Sequence, residues 1–180
     1  MKPKLPIGVA ILISLLLLVF GLVYGDVSGH ADERARADAL LRGESGLLTV
    51  IAYRAADGLN LCVVADRHLA ADADVEALRA AAAALRKGSG ALPAVKAGDQ
   101  TLAGAFGAVA AKLRAMPSFQ QSERDRQYLE MLSADFSQYG QNEIFDAYNK
   151  AAEAFNQKLL ETLPGKLARF LGVKPLELYA

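Results

Sequence analysis

The chain has 180 residues, with 20 Lys plus Arg against 20 Asp plus Glu, and 53% of its residues are hydrophobic. That balance argues against the basic excess or stripe of a nucleic-acid binder, so no nucleic-acid partner is expected. Much of the apolar content is Ala and Leu, with seven Phe, six Tyr and no Trp; this suits close helix packing rather than a β-sandwich of β-branched and aromatic residues.

The first element is an uncharged run, IGVAILISLLLLVFGLVY, from Ile7 to Tyr24. It reaches the roughly 18 apolar residues of a spanning helix and exceeds the ~7–15 of a cleaved leader. A retained single-pass membrane anchor is expected over residues 1–25, contacting the lipid bilayer through Ile7–Tyr24, with Tyr24 at the interfacial belt. Val23-Tyr24-Gly25 is an alternative cleavage site, although Gly25 fits that role less well than Ala. Lys2 and Lys4 on one flank are nearly matched by Arg34, Arg36 and Arg42 on the other. With the terminal amine added, the bias favours an extracytoplasmic body. Gly21 and Gly25 form a GxxxG spacing through which two anchors could pair into a homo-oligomer; two small residues at a helix exit explain it more simply.

Residues 26–46 read as a polar juxtamembrane segment with a short helical pattern, broken at Gly43 and Gly46. The remainder, 47–180, reads as one helical body. Leu47 to about Lys87 is mostly helical, with Asp57-Gly58 as a kink or break and Val75, Leu78, Ala82 and Leu85 on one stripe. GSGALP (88–93) is a connection. The next helix is expected to take Asp99 as its cap, carry Leu102, Phe106, Val109, Leu113 and Met116 as a heptad seam, and stop at Pro117. One long helical pattern follows from Ser122 to Leu163, with a kink or register shift where Tyr139 steps five residues to Ile144 beside Gly140. Its second half places Ile144, Tyr148, Ala151, Phe155, Leu159 and Leu163 on one stripe, punctuated by Pro164-Gly165. The expected fold is all-α: an elongated antiparallel bundle of about four helices after an N-terminal transmembrane helix.

Within that stripe a dipeptide repeats. Tyr148-Asn149 returns as Phe155-Asn156, seven residues or two turns later, so the rings share one face and the amides its edge. Seam rings flanked by register-setting amides account for the spacing; a ligand pocket lined by the two amides is the alternative.

No catalytic, cofactor or metal constellation emerges. Cys62 is the single cysteine and sits in an apolar stretch as a small hydrophobe; the histidines are His30 and His68. No Glu-x-x-His pair, Walker loop or dinucleotide loop is present. GESGL (43–47) lacks the Gly-x-Ser-x-Gly spacing of a nucleophile elbow. Asp72, Asp74 and Glu76 cluster near a helix start, where the helix dipole favours acids.

The tail resembles the LemA family of bacterial membrane-anchored proteins. That family repeats Tyr-Asn at seven residues, then has a proline-terminated helix and a segment ending Gly-Phe-Lys-Pro. Here the order is Tyr148-Asn149, Phe155-Asn156, Leu163-Pro164 and Gly172-Val173-Lys174-Pro175. The N-terminal apolar run and Met116-Pro117 also fit. In the first half the family has an Arg-rich stretch leading into Asp-Leu-Ile-Pro-Asn-Leu-Val; this chain diverges there to YRAADGLNLCVV, with Arg54, Asp57, Asn60 and Leu61 as relics and no proline. The resemblance implies a membrane-tethered antiparallel helical bundle of the cell envelope without established catalysis; a non-catalytic scaffold that binds a protein partner through the bundle surface is the first expectation. A tethered sensor or small-ligand-binding bundle is the second expectation. Tyr148, Asn149, Phe155, Asn156, Pro164, Gly172, Lys174 and Pro175 are the candidate structural or partner motif.

Overall fold

Good helix formers fill most of the chain, and Gly, Pro and N-capping residues set the interruptions. The computed structural model describes residues 7–87 and 90–180, and at some positions of the first helix, Tyr24 among them, the backbone alone. The roles expected of Lys2, Lys4 and the Tyr24 ring therefore lie outside the described residues, as does part of the 88–93 connection.

Among the described residues the chain is all-helical: α1 (Ile7–Arg42), α2 (Leu47–Ala65), α3 (Ala73–Arg86), α4 (Leu92–Ala115), α5 (Pro117–Gln121), α6 (Glu123–Gly140), α7 (Ile144–Glu161) and α8 (Leu163–Phe170). Side chains of Asp72, Ser122 and Thr162 accept from the first-turn amides of α3, α6 and α8, satisfying donors that a helix start leaves open.

Several local expectations need correction. Asp57-Gly58 does not break α2, which runs straight through it. Gly58 is buried, and a Cβ there would sit 3.0 Å from Leu102 Cδ1, so the glycine serves close helix approach. Asp99 does not cap α4, which starts at Leu92; it lies buried about two turns inside. The long helix expected from Ser122 to Leu163 is divided at 141–143, where Asn142 Oδ1 accepts from Ile144 N at 2.9 Å and opens α7. Pro117 and Pro164 stand in the first turns of α5 and α8, where a missing N–H costs nothing, so each opens a helix after the preceding one has ended. On the α7 stripe the fully buried alanine is Ala152, and Leu163 is 83% exposed.

The chain divides into two compact units. One comprises Ala39–Lys150 and Glu177–Ala180. In it α2 packs on α3, α4 and α6, α3 packs on α4, and α5 contacts α4 and α6. Its core joins Leu61, Cys62, Val75, Leu78, Leu102, Phe106, Val109, Leu113, Phe119, Leu129, Leu132 and Phe136. The other contains the chain up to Asp38 and Ala151–Leu176. Its apolar cluster is Phe155, Leu159 and Ala168, with Val173 and Leu176 against it.

Among the described residues one helical stretch near the N-terminus is long and apolar enough to cross a membrane, Ser28–Ala65, with half of its best window buried. Residues 28–46 are too charged to supply that window, so α2 does, and its apolar side faces the core. The large apolar side chains described between Ile7 and Val19, by contrast, are 43% to 79% exposed.

Candidate functional site

The candidate motif converges on the chain's own C-terminal segment. Gly172 takes φ +99°, a conformation open to glycine, and ends α8 by directing Gly172 N to Arg169 O and Val173 N to Ala168 O, both at 3.0 Å. This is the paired closure of a Schellman motif, completed by Val173 packing near Ala168. Lys174 O then accepts from Arg34 Nη1 at 2.8 Å. Pro175, exposed, biases the preceding Lys174 to extended backbone.

Beyond Pro175 both asparagines bind the extended tail as if they were peptide groups. Asn156 Nδ2 donates to Leu176 O at 2.8 Å while its Oδ1 accepts from Leu176 N at 2.7 Å. Asn149 does the same with Tyr179, at 2.9 Å in both directions. The fully buried Tyr148 donates its hydroxyl to Glu177 O at 2.7 Å. The amides were expected to set register between helices; their partner is instead tail backbone, 20 and 30 residues onward. Phe155, buried, packs edge-on to the His30 ring.

No family model, curated protein or solved structure matches the chain.

The end of the tail reaches a buried polar cluster that sequence reasoning missed. Arg54 and Asp99, 7% and 8% exposed, form an ion pair, and the Tyr179 hydroxyl donates to Asp99 Oδ2 at 3.2 Å. The Arg54 guanidinium lies 4.3 Å from the centre of the Phe136 ring, which stacks on Phe106 at 4.2 Å. Burial raises the Asp99 carboxyl above its usual range, with Arg54 and Tyr179 opposing. Burial and the neighbouring Asp99 also push the Tyr179 phenol up, so it stays a donor at neutral pH. Glu177 Oε2 accepts from Leu92 N at 2.9 Å, placing an anion at an α4 start that lacks a side-chain cap of its own. The available signal was Arg54, a lone cation within an apolar run that burial obliges to pair.

A second polar network joins α2's C-terminal end to α5 and α6. His68 Nε2 lies 2.9 Å from Asp125 Oδ2 and His68 Nδ1 lies 3.1 Å from Ser118 Oγ. With its proton on Nε2 the ring donates to Asp125 and accepts from Ser118, the hydrogen-bond order of a Ser–His–carboxylate relay with the ring nitrogens exchanged. Arg67 at 2.6 Å and Ser122 at 3.0 Å also donate to Asp125. The His68 hydrogen bond is the largest influence holding its carboxyl below the usual range. These contacts make Asp125 a hub that fixes α6's start.

The acidic cluster is similarly engaged: Lys112 Nζ pairs with Asp72 at 2.9 Å and Asp74 at 2.6 Å. Cys62 is buried, which raises its thiol pKa, and its Sγ contacts Val75 O at 3.7 Å. Among the described residues, no three or more His, Cys, Asp or Glu side chains group as a metal site. A cleft of about 350 Å³ is lined by Gly25, Gly29, His30, Glu33, Lys158, Thr162 and Pro164, with Glu33 and Lys158 ion-paired at its edge.

Proposed function

We propose that this chain is a membrane-tethered, non-catalytic helical scaffold of the LemA type. Ile7–Tyr24 spans the cell membrane, and an antiparallel bundle binds a protein partner through its surface. The observation that carries the reading is a contrast in polar and apolar use. The apolar side chains of early α1 are left exposed, which only a bilayer or another apolar partner would relieve. The motif amides, meanwhile, are engaged by the chain's own tail, which supports a structural role for them. On the body, Tyr128 and Met131 stand three residues apart on α6, 44% and 49% exposed, the kind of aromatic and thioether surface that partners use.

The test is alkaline and high-salt washing of membranes carrying the full chain, which removes ionically held proteins and leaves spanning ones. Retention is expected; release of an intact body starting near Asp26 would overturn the anchor. Crosslinked partners should be lost on Tyr128→Ala with Met131→Ala while the helical circular dichroism is unchanged. A ligand-sensing reading rests on the cleft beside Glu33 and Lys158; a small molecule that raises the melting temperature and loses its effect on Lys158→Ala would favour it.

A further inference from the structure

α8 leaves its largest apolar side chains bare. Leu163 is 83%, Leu167 39% and Phe170 87% exposed, with Leu171 at 54% just beyond. At about 100° per residue, Leu163, Leu167 and Phe170 fall within an arc of roughly 60°. Gly165 and Ala168 occupy the opposite, buried side. Lys166 and Arg169 stand on the arc between, both exposed. From Leu163 to Leu176 the sequence contains Lys166, Arg169 and Lys174 and no Asp or Glu.

The start of α8 is placed by the cleft, where Thr162 and Pro164 face Gly25 and Gly29 of α1. Gly25 directly follows Tyr24, the last residue of the uncharged run. An apolar stripe bordered by cations, beside the end of a spanning segment, has the chemistry of a helix lying in the headgroup layer.

We infer that α8 is an interfacial foot that inserts Leu163, Leu167 and Phe170 into the surface of an anionic bilayer, with Lys166 and Arg169 on the headgroups. The inference rests on the membrane-tethered reading of Ile7–Tyr24. Its occupant is the lipid surface, because the charges on α8 itself, Lys166 and Arg169, are of one sign; a second copy packed face to face on this helix would bring the same cations together.

The chain contains no Trp, so Phe170→Trp makes a single reporter at a position where packing imposes no size limit. The full-length variant is reconstituted into phosphatidylcholine vesicles with and without phosphatidylglycerol, carrying brominated acyl chains. In anionic vesicles the emission of the introduced indole is expected to shift blue and be quenched by bromine. Lys166→Gln and Arg169→Gln should each lower the bound-to-free ratio of the foot about fivefold, with circular dichroism unchanged.

Recovery of the chain in the alkaline supernatant would remove the tether itself and is read separately. A retained chain whose indole is reached by aqueous acrylamide but not by bromine would overturn the foot. Equal bromine quenching with and without phosphatidylglycerol would overturn the anionic requirement. Shielding from both quenchers, with chain-to-chain crosslinks, would give the face to a second copy and overturn the lipid assignment.

Discussion

α4 and α8 carry apolar residues at the same helical spacing and meet opposite fates. On α4, Leu102, Phe106, Val109 and Leu113 are at most 5% exposed, and the small partner residue Gly58 lets Leu102 approach α2. On α8 the small residues lie on the helix itself: Gly165 and Ala168 are buried, and a Cβ on Gly165 would clash with the Lys158 carbonyl. The large side chains are then forced outward. An apolar stripe marks a face that seeks cover, and the position of the small residues decides whether protein covers it.

The sharpest test of that comparison is a pair of alanine substitutions. Phe106→Ala removes a ring stacked on Phe136 in the core and should cost about 3–5 kcal/mol. Phe170→Ala in the full chain held in mild detergent micelles should stay within about 0.5 kcal/mol, as for other exposed sites. Chemical denaturation followed by circular dichroism measures both. A cost above about 1 kcal/mol at Phe170 would mean that protein covers α8 in solution.

The covered side also holds charge, and removing one partner tests how dry it is. Asp99→Ala strands the Arg54 guanidinium and the Tyr179 hydroxyl, and breaking a buried pair in this way costs about 3 kcal/mol. Arg54→Met combined with Asp99→Leu should recover most of the loss, because no uncompensated charge is left behind. A single Asp99→Ala variant as stable as the parent would indicate that water reaches the pair.

Smaller effects are expected at the tail ties. Asn149→Leu and Asn156→Leu each delete two hydrogen bonds to tail backbone and should cost about 1–3 kcal/mol. Register-setting amides between helices would have predicted unchanged or raised stability, so the geometry reverses the sign. Amide exchange at Leu176 and Tyr179 reports the loss directly, and unchanged protection there would refute the ties.

These sites mark where the sequence was legible. The all-helical class, the α4 seam, the interruption between Tyr139 and Ile144 and the shared face of Tyr148 and Phe155 followed from periodicity and local breakers; the break between α2 and α3 and the short α5 did not. The partners of Asn149, Asn156, Arg54 and Asp99 did not. Each partner is at least 20 residues away in sequence, and a one-dimensional pattern gives the need of a half-buried polar group but not what meets it. Pro117 and Pro164 were read as stops because proline ends a helix and also begins one; the cap at Thr162 was the cue for a beginning.

A smaller change than at the tail ties is expected on the covered side, at Asp57. This carboxyl follows Arg54 on α2 by one turn, and its Oδ2 is buried without a hydrogen-bond partner among the described residues. Burial first and Asp135 second raise its pKa to about 6, against about 3.9 for an unfolded aspartate. A raised carboxyl favours the protonated fold, so its contribution is full below about pH 4 and is lost as pH climbs through about 6. A rise of that size corresponds to at most about 3 kcal/mol; with solvent reaching part of the group, about 1–2 kcal/mol is expected. Asp57→Asn removes the charge at constant shape, so it should raise stability at pH 7.5 and raise it by only about a third as much at pH 4.5. Asp125 titrates in the opposite sense: its pKa is lowered, and its stabilisation fades only as pH falls below the ordinary carboxylate range. Comparing Asp57→Asn with the parent from pH 4.5 to 7.5 therefore isolates Asp57. A stability gain of equal size at both ends of that range would show that the Asp57 carboxylate is solvated, and that this stretch of α2 is wetter than the face packed against α4.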